Sequence, residues 1–157
     1  MTALEAYELT TGGGATDFVR LIEACESFGP YCLIGDLAVN CYVEPVYTLD
    51  ADVVVRELNL HSLNALAPGS ELRIQFTTDE RYQAFPGRAV DAEVLGVRVR
   101  IACLEDVTCG KLWAYGDPGR RLSKRKKDEL DLIRLAEAHP ELLSLYPCEL
   151  QEQLDRG

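Results

Sequence analysis

Apolar residues Phe18, Leu21, Ile22 and Cys25 recur at helical spacing behind Thr16, a residue suited to an N-cap, until Gly29-Pro30 stops the run. This pattern predicts an amphipathic helix. The apolar run at 31–34 reads as a short buried strand, 37–43 as a helix, and the β-branched run at 52–55 as a second strand. A helix is expected over 58–66, closed by a turn at Pro68-Gly69. Beyond it Leu72, Ile74 and Phe76 alternate with Arg73, Gln75 and Thr77, the period of a half-buried strand. Segments 89–95 and 97–102 form a hairpin around Gly96.

The last third is helical. Glu105 or Asp106 caps a helix running through Tyr115, and Gly116-Asp117-Pro118-Gly119 turns the chain. Ser123 then caps a longer helix whose apolar contacts come from Leu130, Ile133 and Leu135, ending at His139-Pro140, with a short helix after Pro147. Helices and strands mixed in this order predict an α+β fold: one mixed β-sheet flanked by helices, with a helical C-terminal part. Residues 1–15 are expected to be a loosely ordered lead-in, jointed at Gly12-Gly13-Gly14.

Composition narrows the setting. A chain of 157 residues with 47% hydrophobic residues suits one domain over 1–157. No basic-plus-apolar leader and no apolar run of the roughly 18 residues needed for a span is present, so a cytoplasmic protein without membrane contact is expected. Six scattered cysteines without a C-x-x-C pair read as reduced apolar residues, and two isolated histidines, His61 and His139, make zinc or Ser/Cys–His chemistry a poor fit. Charge is uneven: the net charge is −10, and setting aside six cations among Arg120, Arg121, Lys124, Arg125, Lys126 and Lys127 leaves −16. An acidic body disfavours broad nucleic-acid binding, while one basic stripe suits a polyphosphate or one face of an RNA. The alternative role for the stripe is a solvated helix start.

Candidate chemistry centres on Gly35, Asp50 and Asp52. Carboxylates at i and i+2 on a strand share a face, where they can hold divalent cations. A glycine ending the preceding strand lets a phosphate approach backbone N–H groups at a helix start. Plain solvent-facing strand carboxylates are the competing explanation.

A strand ending in Gly35-Asp36, an intervening 37–49 segment, and Asp50-Ala51-Asp52-Val53 on the next strand resemble the hallmark of the DNA-polymerase-β-like nucleotidyltransferase superfamily. The segment 104–135, with Lys111 and the K-D-x-x-D element Lys127, Asp128 and Asp131, resembles small bacterial nucleotidyltransferases related to AbiEii-type abortive-infection toxins. The resemblance implies a metal-dependent transfer of a nucleotide from an NTP to an RNA (tRNA-like) or protein acceptor, in a toxin or phage-defence setting with a cognate antitoxin as partner. It implies Mg²⁺ or Mn²⁺ on Asp50 and Asp52, with Glu93 or Asp91 completing the metal site. Gly35 and Asp36 would line the triphosphate. Lys111 would neutralise its β- and γ-phosphates as a mobile cation, and Asp128 and Asp131 would orient Lys111 or Lys127. Two positions depart from the pattern: Asp36 stands where a second Gly or Ser is usual, and the third carboxylate has no plain match, with Gln75 on the first candidate strand. These departures motivate an alternative, a catalytically inactive domain of the same fold that binds nucleotide, RNA or a protein partner.

Overall fold

A computed structural model describes residues 1–66 and 68–157. Five strands, β1 (Cys32–Ile34), β2 (Asp50–Val54), β3 (Arg73–Thr77), β4 (Val90–Val94) and β5 (Val97–Ile101), form one sheet in the order β3-β2-β1-β5-β4. The sheet is mixed, as expected: β1 runs antiparallel to β2 and parallel to β5, β2 is parallel to β3, and β4 is antiparallel to β5. In β2, Ala51 and Val53 are fully buried on one face, which leaves Asp50 and Asp52 together on the other. The β4–β5 hairpin turns on Leu95 and Gly96, both at positive φ (49° and 78°), the two-residue turn whose twist matches its strands.

The helix α2 (Gly14–Phe28) follows the predicted face, with Phe18, Leu21, Ile22 and Cys25 all buried. Each such burial contributes roughly 1.5–3 kcal/mol. Its start differs from expectation: Gly13 is the N-cap, and the Thr16 hydroxyl donates instead to Glu8 Oε1 at 2.5 Å.

The lead-in is not loose. Residues Ala3–Thr10 form a helix, α1, started by a reciprocal capping box in which the Glu5 N–H donates to Thr2 Oγ1 at 3.1 Å and the Thr2 N–H to Glu5 Oε2 at 2.6 Å. Tyr7 is its one buried residue and its hydroxyl donates to the Thr48 carbonyl at 2.9 Å. A helix anchored by one side chain shows little apolar periodicity, which hides it in the sequence. The glycine run is a tight corner: Gly12 and Gly13 sit at φ 64° and 102°, and a Cβ on Gly14 would come within 2.8 Å of Thr11 Cβ.

Elsewhere the boundaries shift. α3 is short (Gly35–Val39), and α4 spans Glu57–Asn64. A 3₁₀ turn (Glu80–Tyr82) and a four-residue helix, α5 (Phe85–Arg88), occupy a stretch with no predicted element. α6 (Leu104–Tyr115) has Cys103 at its N-cap position with no side-chain cap, and Asp106 sits inside the first turn, where it takes Arg88 at 2.9 Å. α7 (Leu122–Ala138) begins after Arg121, so Ser123 is not its cap. Leu130 on α7 is exposed, and Leu132 and Leu135 supply the buried contacts. α8 (Cys148–Arg156) closes the described chain. α3 touches β1, β2 and α6, and α6 packs along α7, which brings all three helices over the Asp50/Asp52 face of the sheet. No helix among the described residues is long and apolar enough to cross a membrane.

Candidate functional site

Two carboxylates, one glycine and a cluster of cations meet on this face. Asp50 and Asp52 line a cleft of about 380 Å³ with Asp36, Arg73, Arg120, Lys124 and Lys127 among its walls. The cleft continues into a smaller space of about 180 Å³ that touches Gly35, Asp52, Tyr82 and Arg120. Gly35 holds φ 68°, and a Cβ there would lie 3.2 Å from Asp52 Cγ and closer still to Oδ2. Glycine is thus required twice over at this position, for the backbone turn and for the Asp52 carboxylate that stands against it.

The two carboxylates are in different states. Asp50 Oδ1 is 2.6 Å from Arg73 Nε, and its Oδ2 is 4.0 Å from Lys124. Asp52 has no cation within ion-pair distance among the described residues. Burial, followed by the nearby negative charges of Asp36 and Asp50, raises its carboxyl from an ordinary 3.8 to about 6.

Lys111 lines both spaces, and its ammonium is tethered there by carboxylates. It is 8% exposed and its ammonium is held 2.9 Å from Asp36, 3.3 Å from Asp128 and 2.9 Å from Asp131. The Asp131 Oδ2 contact is ionic, too oblique for a hydrogen bond. Further cations complete the cluster: Lys127 reaches Asp36 at 2.6 Å and Asp131 at 3.5 Å, Arg120 reaches Asp128 at 2.6 Å, and Arg134 reaches Asp131 at 3.2 Å. Burial pulls the Lys111 ammonium downward, but Asp36 and Asp131 outweigh it and hold the group raised. Burial likewise pushes Asp36 upward, and Lys111 with Lys127 overcomes that to hold it well below the usual carboxylate range. Asp36 is therefore turned into this lysine pair and neutralised there.

The K-D-x-x-D element was legible as a unit, and its two aspartates do converge on Lys111. Glu93 and Asp91 do not join the metal pair. Both stand exposed on β4, the far edge of the sheet, and three strand spacings of about 4.8 Å separate β4 from β2. Asp91 is engaged by Arg98 and Arg100 at 3.3 and 3.1 Å. The residue beside Asp52 on the adjacent strand is Gln75. Among the described residues no group of three or more His, Cys, Asp and Glu is disposed to hold a metal. The donor set nevertheless fits a cation that arrives with a phosphate ligand, since Mg²⁺ is commonly held by one or two carboxylates plus phosphate oxygens and water.

Sequence reasoning missed Arg73 and the separate placement of Arg120. Arg73 is the cross-strand neighbour of Asp50, and register alone brings them together. The stripe at 120–127 lies at the start of α7, where Lys124 and Lys127 line the cleft while Lys126 is paired with Glu129 at 3.1 Å. Cations in the first turns of a helix oppose its dipole, an arrangement suited to an incoming anion.

No known family profile matches this chain, and no curated protein does. Among solved structures it is similar to an antigenic nucleotidyltransferase-like protein from Paracoccidioides brasiliensis, at 19% identity and a TM-score of 0.49 over 89% of this chain and 85% of that one.

Proposed function

We propose that the cleft is a nucleotidyltransferase site, taking a nucleoside triphosphate together with its divalent cation and passing the nucleotide to a hydroxyl of an RNA or protein acceptor. The observation that carries this reading is Asp52: a desolvated carboxylate, without a cation partner among the described residues, pressed against Gly35 and beside Asp50 in a cleft walled by Arg73, Arg120 and Lys124. Burying such a group without a partner costs stability, and a cation-binding role accounts for that cost. Asp50 and Asp52 would hold Mg²⁺ or Mn²⁺, which supplies neutralisation of charge on the phosphates. Arg73, Lys124 and Arg120 supply fixed positive charge around the phosphate chain. In the transfer the acceptor oxygen forms a bond to the α-phosphorus, the bond from that phosphorus to the bridging oxygen breaks, pyrophosphate leaves, and the acceptor proton goes to solvent.

A second reading, a domain that binds nucleotide without transferring it, is favoured by Arg73 occupying Asp50 at 2.6 Å and by Gln75 at the position beside Asp52. Labelled NTPs incubated with the protein, Mg²⁺ or Mn²⁺ and total tRNA separate the two. Transfer by the wild type that is lost in Asp50→Ala and Asp52→Asn supports the transferase; Mg²⁺-dependent binding without transfer to tRNA or to the protein itself supports the silent domain. Absence of both overturns the assignment of the cleft.

A further inference from the structure

The cleft continues past Asp52 and Arg120 into a third space of about 600 Å³, which includes Arg81, Tyr82, Trp113, Asp117 and Arg120 in its walls. Tyr82 and Arg120 also line the smaller space at Gly35 and Asp52, so the hollows lie side by side and share walls. Arg120 touches all of them and is itself fixed, its Nε 2.6 Å and its Nη2 3.3 Å from the carboxylate of buried Asp128.

The character of the wall changes along this path. At the Asp50/Asp52 end it is charged. At the far end Tyr82 and Trp113 stand among Arg81, Asp117 and Arg120: Tyr82 meets Trp113 edge-on with ring centroids 5.0 Å apart, and Phe85, outside the hollow, stacks behind Trp113 at 5.8 Å and an interplanar angle of 19°. Arg81 lies over the indole, its guanidinium carbon 5.0 Å from the ring centroid, while Asp79 holds that side chain at 3.2 Å. The aromatic cluster is locked from behind by buried Phe85, yet Tyr82 and Trp113 keep partly exposed surface on the hollow. With Phe85 stacked on the indole and Arg81 lying over it, the flat surface left to a heteroaromatic ring at the hollow is the exposed Arg81 guanidinium, backed by Trp113.

We infer that the Arg81–Tyr82–Trp113 hollow is the seat of the nucleobase of the triphosphate whose phosphates lie at Asp50, Asp52 and Arg120. This inference rests on the proposed triphosphate site and adds the part of the substrate that site leaves unassigned. The seat grips any base by its face, and the Asp117 carboxylate on its wall, whose Oδ1 accepts from the Gly119 N–H at 2.9 Å, leaves Oδ2 to accept from a base bearing an exocyclic amino group.

Trp113 is the single tryptophan of the chain and therefore reports on this seat directly. Wild-type protein is titrated in Mg²⁺ with ATP, GTP, CTP and UTP, and separately with inorganic tripolyphosphate, following indole fluorescence and binding heat. The expected result is saturable Trp113 quenching by at least one nucleotide, which binds about tenfold more tightly than tripolyphosphate. Arg81→Ala should remove most of that advantage while leaving tripolyphosphate affinity unchanged. Equal affinity for nucleotides and tripolyphosphate, with the indole signal unmoved, overturns the base seat and leaves the triphosphate site standing. Failure of tripolyphosphate and nucleotides alike to bind overturns both, and a parallel loss of tripolyphosphate affinity in Arg81→Ala reassigns Arg81 to the phosphates.

Discussion

Two groups of aspartates share the floor of one cleft and have opposite energetics. Around Lys111, three buried carboxylates are matched by Lys111, Lys127, Arg120 and Arg134, and the ion pairs are short. On β2, Asp52 is desolvated with no cation partner among the described residues, and Asp50 leans on the exposed Arg73. The first group is satisfied by the chain itself and behaves as structure. In the second, Asp52 is left wanting a positive charge, the contrast on which the proposed cation site rests. Both were legible as acidic motifs, and only their partners distinguish them.

The signs of pH dependence differ accordingly. Asp36 is held below its unfolded value, so its contribution is present above about pH 4 and is lost as pH falls. Lys111 is held above its unfolded value, so its contribution is present below about pH 10 and is lost as pH rises. Asp52 is raised to about 6 and does the reverse of Asp36: the folded state binds its proton more tightly, and stability declines as pH climbs from about 4 through 6.

The contrast can be broken most forcefully at Lys111. Lys111→Ala leaves Asp36, Asp128 and Asp131 facing one another, and urea unfolding should show a loss of about 3–5 kcal/mol. A loss below about 1 kcal/mol would mean that the network is solvated and not structural. Asp52→Asn should act in the opposite direction, stabilising the free protein by about 1–3 kcal/mol at pH 8 and by nothing near pH 4, while abolishing Mg²⁺-dependent nucleotide binding. Destabilisation at pH 8 would show that Asp52 has a partner in solution. In the wild type, the same binding should weaken as pH falls through about 6, because protonation would remove the carboxylate proposed to hold the cation. Calorimetric titrations between pH 5 and 8 check this, and a flat profile contradicts it.

Thr48 joins the two groups: its hydroxyl donates to Asp36 Oδ2 at 3.4 Å and accepts from the Asp50 N–H at 3.1 Å. Thr48→Val should cost about 1–2 kcal/mol in thermal or urea unfolding, since it strips a buried donor and acceptor at once. The smallest effect belongs to Arg73→Ala, whose exposed pair with Asp50 contributes less than about 1 kcal/mol. Its stability should barely move in urea, whereas its affinity for tripolyphosphate should fall.

Some of this was written in local chemistry. Alternation in β2 put Asp50 and Asp52 on one face, the helical spacing of α2 gave its buried side, and Gly96 marked the hairpin. Those features depend on residues a few positions apart. α1 escaped notice because one tyrosine anchors it, and its partner, Thr48, lies 41 residues away. The sequence by itself determined the mixed sheet with its helices and the paired carboxylates, because periodicity and backbone sterics act locally, whereas the Asp52 carboxylate that demands glycine at position 35 arrives from a neighbouring strand. Only the tertiary structure decided that Lys111 is buried among three aspartates, that Glu93 lies on the far edge, that Arg73 reaches the cleft, and that Trp113 lines a hollow sharing Arg120 with it. Strand order and helix packing settle which charges meet, and with them whether a given carboxylate is neutralised within the fold or left open to a ligand.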